Sequence, residues 1–284
     1  MNLKSLDPEQ VESALLGLGA LSVTFTDAGN DPVLEPLPGE TPLWADTSVT
    51  ALFDSSADLE VLPDKLRSTL GIDTLPSNRI ETQEDRAWDR DWLRDFGPMQ
   101  FGANLWVAPH GAEVPEGAVV VRLDPGLAFG TGTHPTTALC LTWLEALSLE
   151  GRTVFDFGCG SGILSIAALK LGASHVTGVD IDLQAGTASR QNAEDNGVQD
   201  RLHAGTEMPS ASRQFDVVVA NILAGTLIDC ASTIIDAAGN GALIAMSGIL
   251  EEQVDDVTDA YADTIDFQVP KILDGWALVS GKMK

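Results

Sequence analysis

The chain has 284 residues, 44% of them hydrophobic, and carries 42 Asp and Glu against 16 Lys and Arg for a net charge of −26. That length accommodates one large domain and a smaller one, each with its own core. The charge excludes a phosphate-rich partner gripped by a basic footprint, and the apolar runs are too short to cross a bilayer.

Residues 7–18 begin with Asp7 as a cap and Pro8 at the first helical position, then set Val11, Leu15 and Leu18 on one face, which predicts a short amphipathic helix. Residues 20–27 alternate with period two as a strand, residues 29–32 turn the chain, and residues 36–42 form an exposed loop. A second strand is expected at 49–53, a second helix at 59–70 and a third strand at 79–82. Helix–strand–strand–helix–strand is a ferredoxin-like order without its first strand, for which only residues 1–6 remain. Residues 1–85 are therefore read as a small α+β domain, ferredoxin-like and truncated at its start.

Residues 86–117 are read as an aromatic-rich linker. Trp88, Trp92, Phe96, Phe101 and Trp106 fall among acids and arginines. Their spacing favours burial against a neighbour over a strip that grips substrate.

From residue 118 to 284 strands and helices alternate, which demands a mostly parallel, doubly wound sheet. A strand at 119–123 leads into a loop rich in glycine and threonine, with Thr131, Thr133, Thr136 and Thr137 around Pro135, and then a helix at 136–149. A buried strand ends at Phe157 and is followed by Gly158, Gly160 and Gly162 and a helix; the next strand ends in Asp180. Further strands are expected at 201–204, 215–221 and 242–247, with helices at 184–196, 226–238 and 250–262. A hairpin of 264–269 with 276–281, turning across Asp274 and Gly275, closes the sheet with an antiparallel edge.

The glycine corner carries the chemistry. Strand, glycine turn and helix start present unpaired amides that a ligand can approach closely. The G-x-G-x-G spacing lacks the G-x-G-x-x-G of the dinucleotide fingerprint and points to S-adenosylmethionine. Asp180, at the end of the second strand, stands where ribose hydroxyls are held in such folds. Asn221 ends a strand at the same carboxyl edge. Each residue also has an ordinary role: Gly158 as a turn, Asp180 or Thr137 as a helix cap, Asn221 as a strand end. The cysteines, Cys140, Cys159 and Cys230, are odd in number and scattered, and the four histidines show no metal-ligand spacing. With no secretory signal at the start, a cytoplasmic protein is expected. The acidic surface serves solubility or salt adaptation, or steers a basic protein substrate.

The blocks 123–137, 156–164 and 217–225 and the run Ser247-Gly248-Ile249-Leu250, with Glu35-Pro36-Leu37-Pro38-Gly39-Glu40-Thr41 near the start, resemble the bacterial ribosomal protein L11 methyltransferase family, PrmA. The resemblance implies a ferredoxin-like substrate-recognition domain, a linker and a Rossmann-like, S-adenosylmethionine-dependent α/β methyltransferase sheet. It implies methylation of lysine side chains and the terminal amine of a basic large-subunit ribosomal protein, with no nucleic-acid substrate and no membrane. Thr137, Gly158, Asp180 and Asn221 match positions that hold the cofactor in the family; no catalytic residue and no metal ligand are assigned. Two other functions stay open: methylation of another amine, in a protein or a nucleobase, and a non-catalytic ribosome-assembly module.

Overall fold

The computed structural model describes residues 1–3, 6–29, 43–81, 97–124, 132–209 and 214–284. The chain divides into two compact units, Met1–Arg86 and Ala87–Lys284.

In the first unit α1 (Pro8–Gly17), β1 (Ala20–Asp27), β2 (Thr47–Phe53) and α2 (Leu62–Leu70) follow one another. Asp7 caps α1 by accepting the Gln10 amide at 2.9 Å, with Pro8 supplying a fixed φ at the first helical position. The strands pair antiparallel and pack against both helices through Leu3, Val11, Ala14, Leu15, Val49 and Leu66. Where the ferredoxin-like order calls for a first strand, Asn2 bridges Ser48, the Leu3 amide donates to the Thr47 carbonyl at 2.8 Å, and the Val49 amide donates to the Met1 carbonyl at 2.7 Å. Residues 1–3 thus cover the outer edge of β2. The strand expected at 79–82 is absent over residues 79–81, and Thr82 lies outside the described residues. Ile80 is the single aliphatic residue between Arg79 and Glu81 and is 50% exposed, so the segment has no apolar face to bury.

The second unit opens with a three-stranded sheet, β3 (Met99–Phe101), β4 (Leu105–Ala108) and β5 (Val119–Arg122), antiparallel between β3 and β4 and parallel between β4 and β5. Residues 99–108, read from the sequence as part of the join, are therefore strands, and Phe101, Leu105 and Val107 enter the main core of this unit. Trp88, Trp92 and Phe96 lie outside the described residues, as do the 36–42 loop and residues 125–131, Thr131 included.

The large sheet contains β6 (Thr153–Phe157), β7 (His175–Val179), β8 (Leu202–Gly205), β9 (Phe215–Asn221), β10 (Ala238–Leu250), β11 (Ile265–Phe267), β12 (Lys271–Leu273) and β13 (Trp276–Met283). Their order is β11-β13-β10-β9-β6-β7-β8, with β12 also on β13. Strands β6 to β10 run parallel, and β13 is antiparallel to β10. The helices are α3 (Pro135–Glu145), α4 (Ile163–Lys170), α5 (Leu183–Asp195), α6 (Ala224–Asp229), α7 (Ala231–Ala237) and α8 (Val254–Tyr261). The helix expected over 226–238 is two helices, broken at Cys230, although no Gly or Pro marks the break. At the C-terminus β12 pairs with the first half of β13 and β11 with the second, across a two-residue turn in which Asp274 and Gly275 both take positive φ (51° and 79°).

From β6 the chain winds outward through β7 and β8, then crosses to β9 and β10 on the other side. The crevice between the carboxyl ends of β6 and β9 is thus the topological switch point, the place where open parallel sheets bind ligands. Among the described residues no helix is long and apolar enough to cross a membrane.

Candidate functional site

The three glycines after β6 form the floor of this crevice. Gly158, Gly160 and Gly162 have φ of 79°, 52° and 78°, a region that costs residues with a Cβ. The turn is held to the end of β7, whose Val179 carbonyl accepts the amides of Gly158 (2.7 Å) and Cys159 (3.1 Å). A Cβ on Gly158 would collide with the Ile222 side chain, and one on Gly162 would meet Ser189 Oγ at 2.9 Å. From α5, Ser189 Oγ donates to the Gly160 carbonyl and Asn192 Nδ2 to the Ser161 carbonyl, both at 2.8 Å. The turn therefore keeps its shape through bonds from a strand end and a helix face.

Asp180 is joined to the same turn. One carboxylate oxygen accepts the Gly160 amide at 2.9 Å and the other accepts the Asp182 amide at 3.0 Å. The cap of α5 is Asp182, which accepts the Gln184 amide at 2.8 Å. A carboxylate has about four lone-pair positions, so Asp180 keeps acceptor capacity for hydroxyls beyond its two amides. Next to it Ile181 is 98% exposed, an uncovered apolar surface at the corner that the sequence reading passed over.

Thr137 and Asn221 come together from distant parts of the chain. Asn221 Nδ2 donates to the hydroxyl of the buried Thr137 at 3.2 Å. Thr137 is carried by the first turn of α3, whose N-cap is His134: its Nδ1 accepts the Thr136 amide at 3.3 Å, and its ring meets Trp276 edge-on at 4.8 Å. Beyond Asn221 the Ile222 amide donates to the Ser247 carbonyl at 3.1 Å. Gly248, at φ 85°, passes so close to the Ile222 carbonyl that any Cβ there would strike it. Because Ile222 also lies against Gly158, the four predicted residues form two linked pairs at one sheet edge: Thr137 with Asn221, and the Gly158 turn with Asp180.

Beneath this edge is a group that sequence reasoning did not single out. Asp156 in β6 is fully buried; one carboxylate oxygen accepts Ser165 Oγ at 2.6 Å, and among the described residues the other has no partner. Burial pushes its pKa up to about 6, the Ser165 bonds pull it back in part, and the nearby Asp180 charge raises it further. Burial likewise pushes the Cys159 thiol up to about 12, so it is protonated and behaves as a packing residue. The buried carboxylate follows a strand pattern that reads as continuously apolar, so the only sequence signal was an acid where an aliphatic residue is ordinary. Among the described residues no cluster of His, Cys, Asp and Glu is placed to hold a metal ion.

This arrangement fits a nucleoside bearing an amino-acid tail: glycine backbone for close approach, a carboxylate for vicinal hydroxyls, and an exposed aliphatic surface beside it. The family model described as ribosomal protein L11 methyltransferase (PrmA) matches residues 1–284. The ribosomal protein L11 methyltransferase of Salmonella dublin is 50% identical over 289 residues, covering 100% of this chain and 98% of its own length. That of Aliivibrio fischeri strain MJ11 is 49% identical over 288 residues with the same coverage. The crystal structure of the ribosomal protein L11 methylase from Lactobacillus delbrueckii subsp. bulgaricus superposes with a TM-score of 0.61 at 32% identity, over 66% of this chain and 100% of that one. With the family's model matched end to end and half of its residues shared with such relatives, this chain belongs to the ribosomal protein L11 methyltransferase family.

Proposed function

We propose that this chain transfers methyl groups from S-adenosylmethionine to lysine side-chain amines and the N-terminal amine of ribosomal protein L11, with the first unit, residues 1–86, recognising the substrate and the second, residues 87–284, carrying out the transfer. The observation that supports it most is the pairing of Asn221 with Thr137 directly across from the Gly158–Asp180 turn, at the switch point of the sheet. Acting on a ribosomal protein, the enzyme works in the cytoplasm.

In this reading the backbone of Gly158 and Gly160 surrounds the methionine part, Asp180 accepts the ribose hydroxyls, and the base lies against Ile181. S-adenosylmethionine supplies an electrophilic methyl group on a sulfonium. The protein's task is alignment, because in-line displacement depends on holding donor and acceptor at a near-attack distance. The Asn221 amide nitrogen is taken by Thr137, and among the described residues no group bonds to its side-chain carbonyl. It accepts a hydrogen bond from the incoming amine and orients the lone pair. An amine with a pKa near ~10.4 in water must be neutral to attack, and bulk water takes the proton, which leaves the rate rising with pH. Two features count against a nucleobase substrate: Asn221-Ile222-Leu223 lacks the aromatic residue that stacks a flipped base, and the net charge of −26 repels phosphate.

The test is transfer of label from S-adenosylmethionine to purified L11 and, separately, to ribosomal RNA, with the products mapped by mass. Label on L11 amines is expected. Label on RNA alone, or none at all, overturns the reading.

A further inference from the structure

The C-terminal hairpin is built into the wall of the candidate site. The Ser247 carbonyl accepts the amide next to Asn221, and Leu250, at the end of the same strand, pairs with Trp276 at the root of β13. Trp276 meets His134, which caps the helix carrying Thr137, and Thr137 returns to Asn221. This closed ring of contacts sets the β12–β13 turn at the carboxyl edge of the sheet, beside the ligand corner.

On that hairpin β12 is unusual. Lys271, Ile272 and Leu273 are all exposed, Ile272 by 43% and Leu273 by 40%, and among the described strands its single partner is β13. Across a two-residue turn Leu273 and Trp276 form the hydrogen-bonded pair, so the alternation turns the amide and carbonyl of Ile272 away from β13. Among the described residues no group bonds to them. Open edges with exposed aliphatic side chains invite another strand unless charge or a bulge blunts them. The charge here has one predominant sign. Glu251, whose amide donates to the Gly275 carbonyl at 3.0 Å, stands with Glu252 and Asp274 around the turn, three exposed carboxylates against Lys271.

We propose that β12 takes an extended, lysine-bearing segment of the substrate protein as an added strand, with Ile272 and Leu273 gripping its apolar side and the carboxylates at the turn drawing its basic side chains. The proposal rests on the reading above, in which the substrate is a basic ribosomal protein. It places polypeptide docking and methyl transfer on one edge of one sheet.

Hydrogen exchange of the full chain, followed over residues 268–276 with and without saturating L11, tests it. Exchange at Ile272 is expected to slow by about tenfold or more when L11 binds, as for an amide newly paired in a ladder; unchanged exchange overturns the proposal. Slowing that instead follows the enzyme's own concentration, with no L11 present, identifies a second copy as the occupant and also overturns it. The double variant Ile272→Asp, Leu273→Asp should raise KM for L11 about tenfold while leaving kcat and S-adenosylmethionine affinity unchanged. An unaltered KM, or a matching loss of S-adenosylmethionine affinity, contradicts it. Wild-type enzyme that transfers nothing to L11 overturns the substrate reading and this proposal together, whereas normal transfer with an unprotected Ile272 overturns the hairpin proposal alone.

Discussion

The two faces of the large sheet are built from the same strands and differ in what they bury. On the face covered by α3 and α4, Val154, Val176, Val217, Val219, Ala245 and Leu278 pack as an apolar core. Towards its carboxyl edge, however, the register brings polar residues into line: Asp156 opposite Val219, and Asn221 opposite Ser247. The face covered by α6, α7 and α8 buries Phe155, Val218, Met246, Ile249 and Tyr261, and Phe155 stacks on Phe215 with ring centroids 5.1 Å apart. The buried Tyr261 hydroxyl there is satisfied by the Leu227 carbonyl at 2.6 Å, although among the described residues the Thr177 hydroxyl has no partner. Both faces bury an apolar core, and the one covered by α3 and α4 also commits part of its burial to polar groups at the carboxyl edge.

Mutations can separate these two roles. The largest effect is expected for Phe155→Ala, which removes a fully buried ring and its stacking on Phe215: a loss of about 3–5 kcal/mol of stability, measured by denaturant unfolding, with S-adenosylmethionine affinity of the folded protein unchanged. Loss of affinity at full stability would break the division between the faces.

Next is Asp156→Asn. The folded-state pKa of Asp156 lies above the unfolded value, so its contribution is fully present below the unfolded pKa of about 4 and is lost as pH rises through about 6. The Asn variant should therefore gain stability relative to wild type across that window, on the order of 3 kcal/mol between pH 4 and pH 7. Unfolding curves of both proteins at each pH check this, and a constant difference would show that Asp156 does not titrate there.

Gly158→Ala introduces a Cβ at φ 79° and against Ile222. A cost of about 2 kcal/mol is expected, together with weakened S-adenosylmethionine binding in calorimetry; intact binding would detach the glycine turn from the site. The smallest effect belongs to Thr137→Val, which removes the acceptor of the Asn221 amide. It should cost about 1 kcal/mol, read as a several-fold fall in kcat with little change in melting temperature.

Much of this molecule is legible in the residue order, for identifiable reasons. Parallel strands buried on both faces appear as continuous apolar runs, which is why β6, β7, β9 and the core of β10 can be placed from sequence. The glycines at 158, 160 and 162 announce backbone conformations that few other residues adopt, and Asp180 falls at the next strand end. What could not be read depends on distant partners or on very short elements. β3 and β4 have three and four residues, below the length at which alternation is distinctive, and they become strands by pairing with each other and with β5. The strand expected at 79–82 does not form over 79–81, where Ile80 between two charged residues gives it no apolar face to bury. Gly248 looks like any glycine until the Ile222 carbonyl is seen against it, and the contact of His134 with Trp276 joins segments that no local pattern connects. Thr137 and Asn221 were marked separately; their bond is a product of the fold.

In the proposed function the polar edge of one face holds the methyl donor, with Asp180 accepting the ribose hydroxyls. Calorimetric titration of S-adenosylmethionine into Asp180→Ala, beside wild type at equal folded fraction, tests this most directly. The affinity should fall by about tenfold or more, as expected when a charged hydrogen-bond acceptor is removed, with native circular dichroism retained. Unchanged affinity in a folded variant would contradict it.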